Sequence, residues 1–357
     1  MTRGPLALAA TALASTITVG LGLGLGVAAC AGSGAQTGPT LAAYFAPEPG
    51  LHTAGVKLVS IHTPKGDFKV WTKRFGNNPR IKLLLLHGGP GATHEYFEAL
   101  ENDLAAAGVE FIYYDQLGSA YSDQPTDTSL WTIDRFVDEV EQVRVALGLD
   151  KDNFYLLGHS WGGILAAEYA LRHGDHLKGL IISNMMMSIP DYNHYAETVL
   201  AKQMAPELVA EIKGIESRGE YESARYMEIL IPNFYHAHIC RLTDWPDAVN
   251  RSLGRINRQV YVLMQGPSEF GASGLLEKWD RKADLPKLAM PTLVIGAAHD
   301  TMDPEHMRWV STQVQHGSFL LSASGSHLAM WDDQPTYVHG LITFLEAIDG
   351  GAQTVSF

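Results

Sequence analysis

The feature that most constrains the fold of this 357-residue chain is a serine placed between glycines, directly after a short apolar run. The run is Phe154–Leu157, which leads into Gly158-His-Ser160-Trp-Gly-Gly, with a helical pattern beginning near Ile164. Flanking glycines allow a tight turn from strand to helix, and such a turn leaves the serine hydroxyl exposed above the sheet. The segment therefore predicts a nucleophile elbow with Ser160 as the candidate nucleophile.

Further apolar runs recur along the chain without the alternation of a half-buried strand. Runs of this kind predict strands that are buried on both faces of a parallel sheet. Apolar residues at 3- and 4-residue spacings between them predict helices, as in Ile133–Leu147. Alternating strands and helices indicate an α/β fold with helices on both faces of a mostly parallel sheet. The predicted strands are a hairpin over Val56–Thr63 and Asp67–Arg74, followed by Ile81–Leu86, Val109–Tyr114, Phe154–Leu157, Gly179–Ile182, Thr292–Ile295 and Ser318–Leu321.

One interval interrupts this alternation. Residues 187–288 carry Met, Glu and aromatic residues at helical spacing and show no pattern of a sheet strand. We interpret the interval as a helical cap inserted between two strands, with residues 46–186 and 289–357 forming the core. Together with the elbow, this organisation predicts an α/β-hydrolase fold.

Composition excludes several classes of protein. The 26 Lys and Arg residues against 39 Asp and Glu residues give a net charge of −13, which disfavours binding to nucleic-acid phosphates. A hydrophobic content of 46% with a mean hydropathy of −0.03 is typical of a globular domain rather than a disordered or multi-span membrane chain. The two cysteines, Cys30 and Cys240, are too few for a disulfide framework or a zinc site built mainly from thiolates.

The first thirty residues have the composition of an export signal. Positions 4–29 contain no charged residue, Arg3 precedes them, and the stretch ends in Val-Ala-Ala-Cys30. This ending resembles the lipobox of bacterial lipoproteins, which implies a signal peptide over 1–29, lipidation of Cys30 and a flexible tether over 30–45. An uncleaved transmembrane anchor and a secreted protein without a lipid are the alternatives. All three interpretations place the folded part outside the cytoplasm, and the lipoprotein interpretation anchors it to a membrane.

A serine nucleophile requires a base and an acid that orients the base. In the predicted fold they follow the serine in the order acid, then histidine, each at the C-terminal end of a later strand. Asp300 follows the run Thr292–Ile295, and His327 follows the run Ser318–Leu321. We therefore predict a triad of Ser160, Asp300 and His327, with Asp303 as the rival acid.

Backbone donors for an oxyanion are expected in two places. His87-Gly-Gly-Pro-Gly follows an early strand, where α/β hydrolases place a donor loop, and Trp161 follows the nucleophile. We predict that the N–H groups of Gly89 and Trp161 form the oxyanion hole. The glycine loop lacks the Lys-Ser/Thr of a phosphate-binding P-loop and the glycine spacing of a dinucleotide site. The predicted chemistry requires no metal and no cofactor.

Several segments together resemble the proline iminopeptidases of the α/β-hydrolase fold, over about residues 56–348. Two segments of the cap interval are similar to the branch that contains the tricorn-interacting aminopeptidase. The segments are His87-Gly-Gly-Pro-Gly91, Tyr114-Asp-Gln-Leu-Gly-Ser-Ala-Tyr-Ser-Asp123, Gly158-His-Ser-Trp-Gly-Gly163 and Gly325-Ser-His-Leu-Ala-Met-Trp-Asp332, with Asn233-Phe-Tyr-His-Ala-His238 and Gln265-Gly-Pro-Ser-Glu-Phe270 in the cap.

The resemblance implies a serine aminopeptidase that removes the N-terminal residue, proline or another small or apolar residue, from short peptides. In that branch a cap glutamate receives the substrate's amino group, and the matching position here is Glu269. A second glutamate follows the triad aspartate in the branch, whereas this chain has Thr301. Asp303, Glu305 and the cap residue Glu228 are the candidates for the second carboxylate.

Two other functions fit the same sequence. An amino-acid amidase or esterase on this scaffold would share the nucleophile elbow and the glycine loop, but an esterase would need no carboxylate for an amine. A non-catalytic surface lipoprotein with a hydrolase fold would need no triad. The sequence leaves the oligomeric state open.

Overall fold

The computed structural model describes residues 55–357, so the signal segment 1–29, the candidate lipidation residue Cys30 and the tether 30–45 lie outside the described residues. Eight strands form one sheet in the order β1-β2-β4-β3-β5-β6-β7-β8. The strands are β1 Val56–Thr63, β2 Gly66–Phe75, β3 Lys82–Leu86, β4 Glu110–Asp115, β5 Phe154–His159, β6 Gly179–Ser183, β7 Pro291–Ala297 and β8 His316–Ser322.

The sheet is mostly parallel. Strands β1 and β2 form the predicted antiparallel hairpin, β2 also pairs antiparallel with β4, and every pair from β4 through β8 is parallel. All residues of β3, β4, β5 and β6 are buried, which explains their continuous apolar sequences. The predicted α/β-hydrolase fold class, with its mostly parallel sheet, is confirmed.

Helices cover both faces of the sheet, and two large apolar clusters fill the spaces between them and the strands. The helices are α1 Glu101–Ala106, α2 Ile133–Leu147, α3 Trp161–His173, α4 Ile189–Thr198, α5 Pro206–Ser217, α6 Ala224–Leu230, α7 Asp247–Gly254, α8 Arg258–Met264, α9 Pro304–Gln313, α10 Ala329–Asp332 and α11 Gln334–Asp349. Further helical segments of three to seven residues lie at His94–Leu100, Thr128–Leu130, Gly174–His176, Leu200–Gln203, Ile231–Tyr235, His236–His238 and Lys282–Lys287.

Local sequence explains where α2 begins and ends. The Thr132 side chain accepts a hydrogen bond from the backbone N–H of Arg135, which caps the first turn. Gly148 has a φ of 65° at the other end, where its backbone N–H bonds to the carbonyls of Arg144 and Val145. Most helical stability still comes from the buried face, because isolated helices of this length are marginal in water.

The interval 187–288 contains helices α4 to α8 and, in the described chain, contributes no strand to the sheet. An apolar cluster of its own holds the first three of these helices together, and it includes Leu200, Ile212, Tyr226, Leu230 and Phe234. Helices α7 and α8 approach the glycine loop, where Asn257 donates its backbone N–H to the carbonyl of Gly91 at 2.8 Å. The interval therefore contributes residues to the C-terminal edge of the parallel strands.

Among residues 55–357, no helix combines the length and the apolar character needed to cross a membrane.

Candidate active site

The nucleophile elbow has the strained geometry that its glycines allow. Ser160 has a φ of 56° and a ψ of −127°, a conformation that non-glycine residues rarely adopt. A Cβ atom at Gly158 would overlap the carbonyl of Gly162, and one at Gly162 would overlap the carbonyl oxygen of Leu86 in β3. Helix α3 begins at Trp161, three residues before the predicted start near Ile164. The earlier start is possible because Gly162 has no side chain, so the first turn of the helix can lie against β3.

The structure places the two predicted partners of Ser160, Asp300 and His327, in contact with each other. Asp300 lies in the turn after β7 and His327 lies in the loop after β8, and His327 Nδ1 is 2.7 Å from Asp300 Oδ1. Both side chains are buried. The rival acid, Asp303, caps helix α9 by accepting a hydrogen bond from the N–H of Glu305 at 3.0 Å. The carboxylate that orients His327 is therefore that of Asp300.

Asp300 is held in its ionised form by several donors. Asn184 Nδ2 donates to Oδ2 at 2.7 Å, and the N–H of Met302 donates to Oδ1 at 3.2 Å. Burial alone would raise the pKa of Asp300, but the charge of His327 and these hydrogen bonds outweigh burial and lower it. Thr301, where the resemblance described above would place a second glutamate, donates its hydroxyl to Asp300 Oδ1 at 3.3 Å.

The pKa of His327 is shifted in the opposite direction. Burial alone would lower the pKa of this imidazole, but the charge and hydrogen bond of Asp300 raise it, and Glu269 adds a smaller attraction. Because Nδ1 donates to the carboxylate, Nε2 is the basic nitrogen available for proton transfer. His327 and Ser160 line one cavity.

The glycine loop lies directly against the nucleophile. A Cβ atom at Gly88 would come within 2.9 Å of the Ser160 Cβ, so only a glycine fits there. Gly89, next in the loop, lines the cavity with Ser160. Trp161 is the first residue of α3, and a backbone N–H at this position has no partner within the helix. Both predicted oxyanion donors are thus on segments that adjoin Ser160.

A hydrogen-bonded network behind this loop includes a residue whose role the sequence did not indicate. Gln116 Nε2 donates to the carbonyl of His87, and Gln116 Oε1 accepts the indole N–H of Trp161, both at 2.9 Å. His87 Nε2 accepts the N–H of Gln116 at 3.1 Å, and burial lowers the pKa of His87 to about 4. His87 is therefore neutral, and Gln116 joins the glycine loop to Trp161 of the elbow.

Glu269 reaches the cavity from the loop after α8 and is oriented by tyrosines. Tyr261 donates its hydroxyl to Glu269 Oε1, and Tyr192 donates its hydroxyl to the Glu269 carbonyl, both at 2.6 Å. Burial raises the pKa of Glu269, and the attraction of His327 and the Tyr261 hydrogen bond oppose that rise. Glu269 is only partly exposed and lines the cavity that also contains Ser160.

Two cavities meet at Glu269. The smaller, of about 50 Å³, is lined by Ser160, His327 and the glycine loop, and the larger, of about 240 Å³, lies within the cap. Four residues line both cavities: Ile239, Leu253, Ile256 and Glu269. None of Glu228, Asp303 and Glu305 lines either cavity.

One group in the described part of the chain has ligand atoms close enough to share a metal ion. The atoms of Glu141, His173 and His176 lie within 4.8 Å of one another. Arg144 already donates to both oxygens of Glu141, at 2.7 and 2.8 Å, and its positive charge opposes a bound cation. None of the three side chains lines the cavity with Ser160, so we assign them no part in the site.

Comparisons with known proteins agree with this geometry. A family model described as the alpha/beta hydrolase fold matches residues 82–334. The structure of VinJ superposes with a TM-score of 0.76 at 27% identity, covering 82% of this chain and 99% of that one. The chain is thus an α/β hydrolase with a serine nucleophile elbow.

Its sequence relatives define the family within that fold. Proline iminopeptidases of Flavobacterium johnsoniae and Elizabethkingia meningoseptica are 58% and 60% identical over 292 and 294 residues, each covering 82% of this chain and 98% of the relative. The structure of a Mycobacterium smegmatis proline iminopeptidase has a TM-score of 0.72 at 29% identity and covers 82% of this chain and 98% of its own. The chain belongs to the proline iminopeptidase family, and it is a serine hydrolase of the aminopeptidase type.

Proposed function

We propose that this enzyme releases the N-terminal residue, proline or another small apolar residue, from short peptides with a free N-terminus. The observation that carries the proposal is Glu269, a partly buried carboxylate on the wall of the cavity that also contains Ser160 and His327. A peptide's amino group loses hydration when it enters this cavity, and a carboxylate offsets that loss. An enzyme for simple esters has no use for such a group. The names of the relatives support proline as the first residue to test.

In the proposed mechanism Ser160 attacks the carbonyl carbon of the N-terminal residue. His327, oriented by Asp300, accepts the hydroxyl proton and then gives it to the departing amine of the shortened peptide. A water molecule, deprotonated by His327, attacks the acyl-enzyme and releases the free amino acid. The N–H groups of Gly89 and Trp161 stabilise the oxyanion in both halves of the reaction.

Glu269 fixes where cleavage occurs. When the amino group is bound to this carboxylate, the carbonyl presented to Ser160 is that of the N-terminal residue, so the enzyme acts as an exopeptidase. Thr301 is bonded to Asp300, so we assign amine binding to Glu269 without a second carboxylate.

An amidase or esterase is the second candidate, and a blocked substrate separates it from a peptidase. Prolyl and alanyl arylamides are compared with their N-acetylated forms on protein that lacks residues 1–30. We expect acetylation to lower kcat/KM by at least about 10-fold, because the charged partner of Glu269 is lost. Equal kcat/KM for both forms would show that Glu269 does not receive the amine.

Labelling separates an enzyme from a non-catalytic binding protein. A fluorophosphonate probe reacts with an activated serine, so we expect covalent labelling of the folded wild type and none of Ser160→Ala. A folded protein that stays unlabelled would favour the binding function.

We also propose that the enzyme is tethered outside the cytoplasm through a lipid on Cys30. The basis is the uncharged run over residues 4–29 that ends in Val-Ala-Ala-Cys. Expression of the full chain with a radiolabelled fatty acid in a bacterial host is expected to label the membrane-bound wild type and to leave Cys30→Ser unlabelled. Membrane-bound wild type that stays unlabelled would favour the uncleaved anchor, and soluble, unlabelled wild type would favour a simple secreted protein.

A further inference from the structure

The side chain between the first glycine and the serine of the elbow contacts two other loops of the site. His159 is 2% exposed, and its Nε2 lies 2.8 Å from the backbone carbonyl oxygen of His327. Its Nδ1 lies 3.0 Å from the hydroxyl of Tyr96, which is 4% exposed. The mechanism above uses neither His159 nor Tyr96, yet both line the cavity with Ser160.

The directions of these hydrogen bonds follow from the partners. A backbone carbonyl only accepts, so Nε2 of His159 carries the proton and donates it to His327. Nδ1 of the neutral ring is then an acceptor, and the Tyr96 hydroxyl donates to it. The same hydroxyl accepts the backbone N–H of Gly88 at 2.6 Å. One consistent series of bonds therefore runs from Gly88 through Tyr96 and His159 to His327.

The protonation states of His159 and Tyr96 are consistent with this series of hydrogen bonds. Burial, together with repulsion from His327, lowers the pKa of His159 to about 3, so the ring stays neutral over the working range of a serine hydrolase. Burial also raises the pKa of Tyr96 well above its usual value, which keeps the hydroxyl protonated. With both nitrogens bonded, His159 is unavailable as a general base.

The two ends of the series are next to the reacting groups. Gly88 precedes Gly89, one of the two proposed oxyanion donors, and lies against Ser160. The backbone of His327 is held from both sides, because its N–H donates to the carbonyl of His238 at 2.9 Å while its carbonyl accepts from His159. The His159 ring also packs against the His327 ring with a centroid distance of 4.8 Å.

We propose that His159 and Tyr96 are positioning residues that hold the oxyanion loop and His327 at a fixed separation on either side of Ser160. The inference rests on the proposed roles of Ser160, Gly89 and His327. It adds that the separation depends on two side chains that take no part in bond formation or proton transfer. A displacement of about 1 Å in such a site can lower the rate by about 100-fold.

Three variants test the series of bonds. Tyr96→Phe removes the hydroxyl that joins Gly88 to His159, and His159→Leu removes both ring nitrogens at similar volume. His159→Gln retains one donor and one acceptor, so it can still donate to His327 and accept from Tyr96. Tyr113→Phe is the matched control, because Tyr113 is a buried tyrosine whose hydroxyl bonds to Phe97 and Glu101 and which lies outside the cavity.

The readout is the division of the effect between kcat and KM for a prolyl arylamide, measured with the Tm of each variant. We expect Tyr96→Phe and His159→Leu to lower kcat by about 10- to 100-fold with KM changed by less than about 3-fold, since Glu269 is untouched. His159→Gln is expected to recover at least half of the lost kcat on a logarithmic scale. Tyr113→Phe is expected to keep the wild-type kcat. If His159 and Tyr96 acted only by stabilising the fold, kcat would fall only in variants whose Tm also falls.

The rate of fluorophosphonate labelling separates failure of this inference from failure of the proposed function. Wild type that does not label overturns the serine mechanism and the inference with it. The inference alone is overturned if wild type labels and folded Tyr96→Phe and His159→Leu have labelling rates and kcat values within 2-fold of the wild-type values. Tyr96→Phe removes a single oxygen atom, so it remains informative if His159→Leu fails to fold.

Discussion

At the scale of single residues, the site depends on pKa shifts of opposite direction in the neighbouring side chains of Asp300 and His327. The pKa of Asp300 is lowered and that of His327 is raised, because each stabilises the charged form of the other in a buried pair. Glu269 adds negative charge on the cavity side of His327. This arrangement favours the imidazolium that forms when Ser160 loses its proton.

The pH profile tests that pairing. Protonated His327 cannot accept a proton, so kcat/KM falls as pH drops through its pKa, which lies above the usual value of about 6.5 for histidine. Asp300→Asn removes the charge that raises this pKa, so the acid limb is expected to move to lower pH while kcat falls by about 10⁴-fold. The control is Asp303→Asn, which keeps a good helix cap and is expected to leave the limb in place. An unmoved limb in Asp300→Asn would contradict the pairing.

The charge of Glu269 is tested by a substitution of equal size. Glu269→Gln is expected to lower kcat/KM for unblocked prolyl arylamide by at least about 10-fold, as for a lost hydrogen bond to a charged group. Activity on the N-acetylated substrate is expected to stay within about 2-fold, because that substrate brings no positive charge. Glu228→Gln changes an exposed cap glutamate and serves as the control. Equal losses on both substrates would mean that Glu269 acts through structure rather than charge.

At the scale of elements, most of the sheet was predictable because its signals are local. Continuous apolar runs indicated the buried strands, and their predicted ends differ from the observed bounds by at most two residues. The positions of Ser160, Asp300 and His327 just after strands could be predicted, because each follows a local apolar run. Gln116, Asn184 and Tyr96 could not, because the partners of their side chains are brought near only by the packed sheet.

The crossing of α3 and β3 gives a prediction at this scale. A Cβ atom at Gly162 would overlap the Leu86 carbonyl oxygen, and backbone in the middle of a sheet cannot move aside easily. Gly162→Ala is therefore expected to lower the free energy of unfolding by at least about 1–3 kcal/mol and to reduce fluorophosphonate labelling, both measurable on the same samples. Gly254→Ala is the control, because nothing lies within 4 Å of its added Cβ and alanine favours a helix. Equal stabilities of the two variants would contradict the close approach.

At the scale of the whole molecule, buried glutamates of the core connect the 187–288 interval to the sheet at two places. Glu168 in α3 accepts from the indole of Trp279 at 2.7 Å and from Arg281 at 2.6 Å. Glu95 follows the glycine loop and accepts from arginines of the α7 region. Glu269 lies in the segment between these connections, so we expect them to limit how far the proposed amine-binding carboxylate can move from Ser160.

The Glu95 connection leads to a prediction about substrate binding. Glu95 is 1% exposed, and its Oε1 accepts from Arg251 at 2.9 Å and from Arg255 at 2.7 Å. Glu95→Gln removes the charge, and since both arginines are partly exposed, we expect a loss of about 1–3 kcal/mol in the free energy of unfolding. Because Leu253, on the same helix as Arg251, lines both cavities, KM for prolyl arylamide is expected to rise more than kcat falls.

Asp247→Asn provides a matched control for this connection. Asp247 Oδ2 pairs with the same Arg251 at 2.7 Å, but its side chain is 85% exposed, so removing its charge is expected to change stability by less than about 0.5 kcal/mol and to leave KM unchanged. Urea unfolding and steady-state kinetics on both variants measure the difference. If Glu95→Gln kept the wild-type KM while losing stability, the distance between Glu269 and Ser160 would be set by the Glu168 connection instead. Glu168→Gln would then be expected to raise KM, because the loops after α8 lead directly into Trp279 and Arg281.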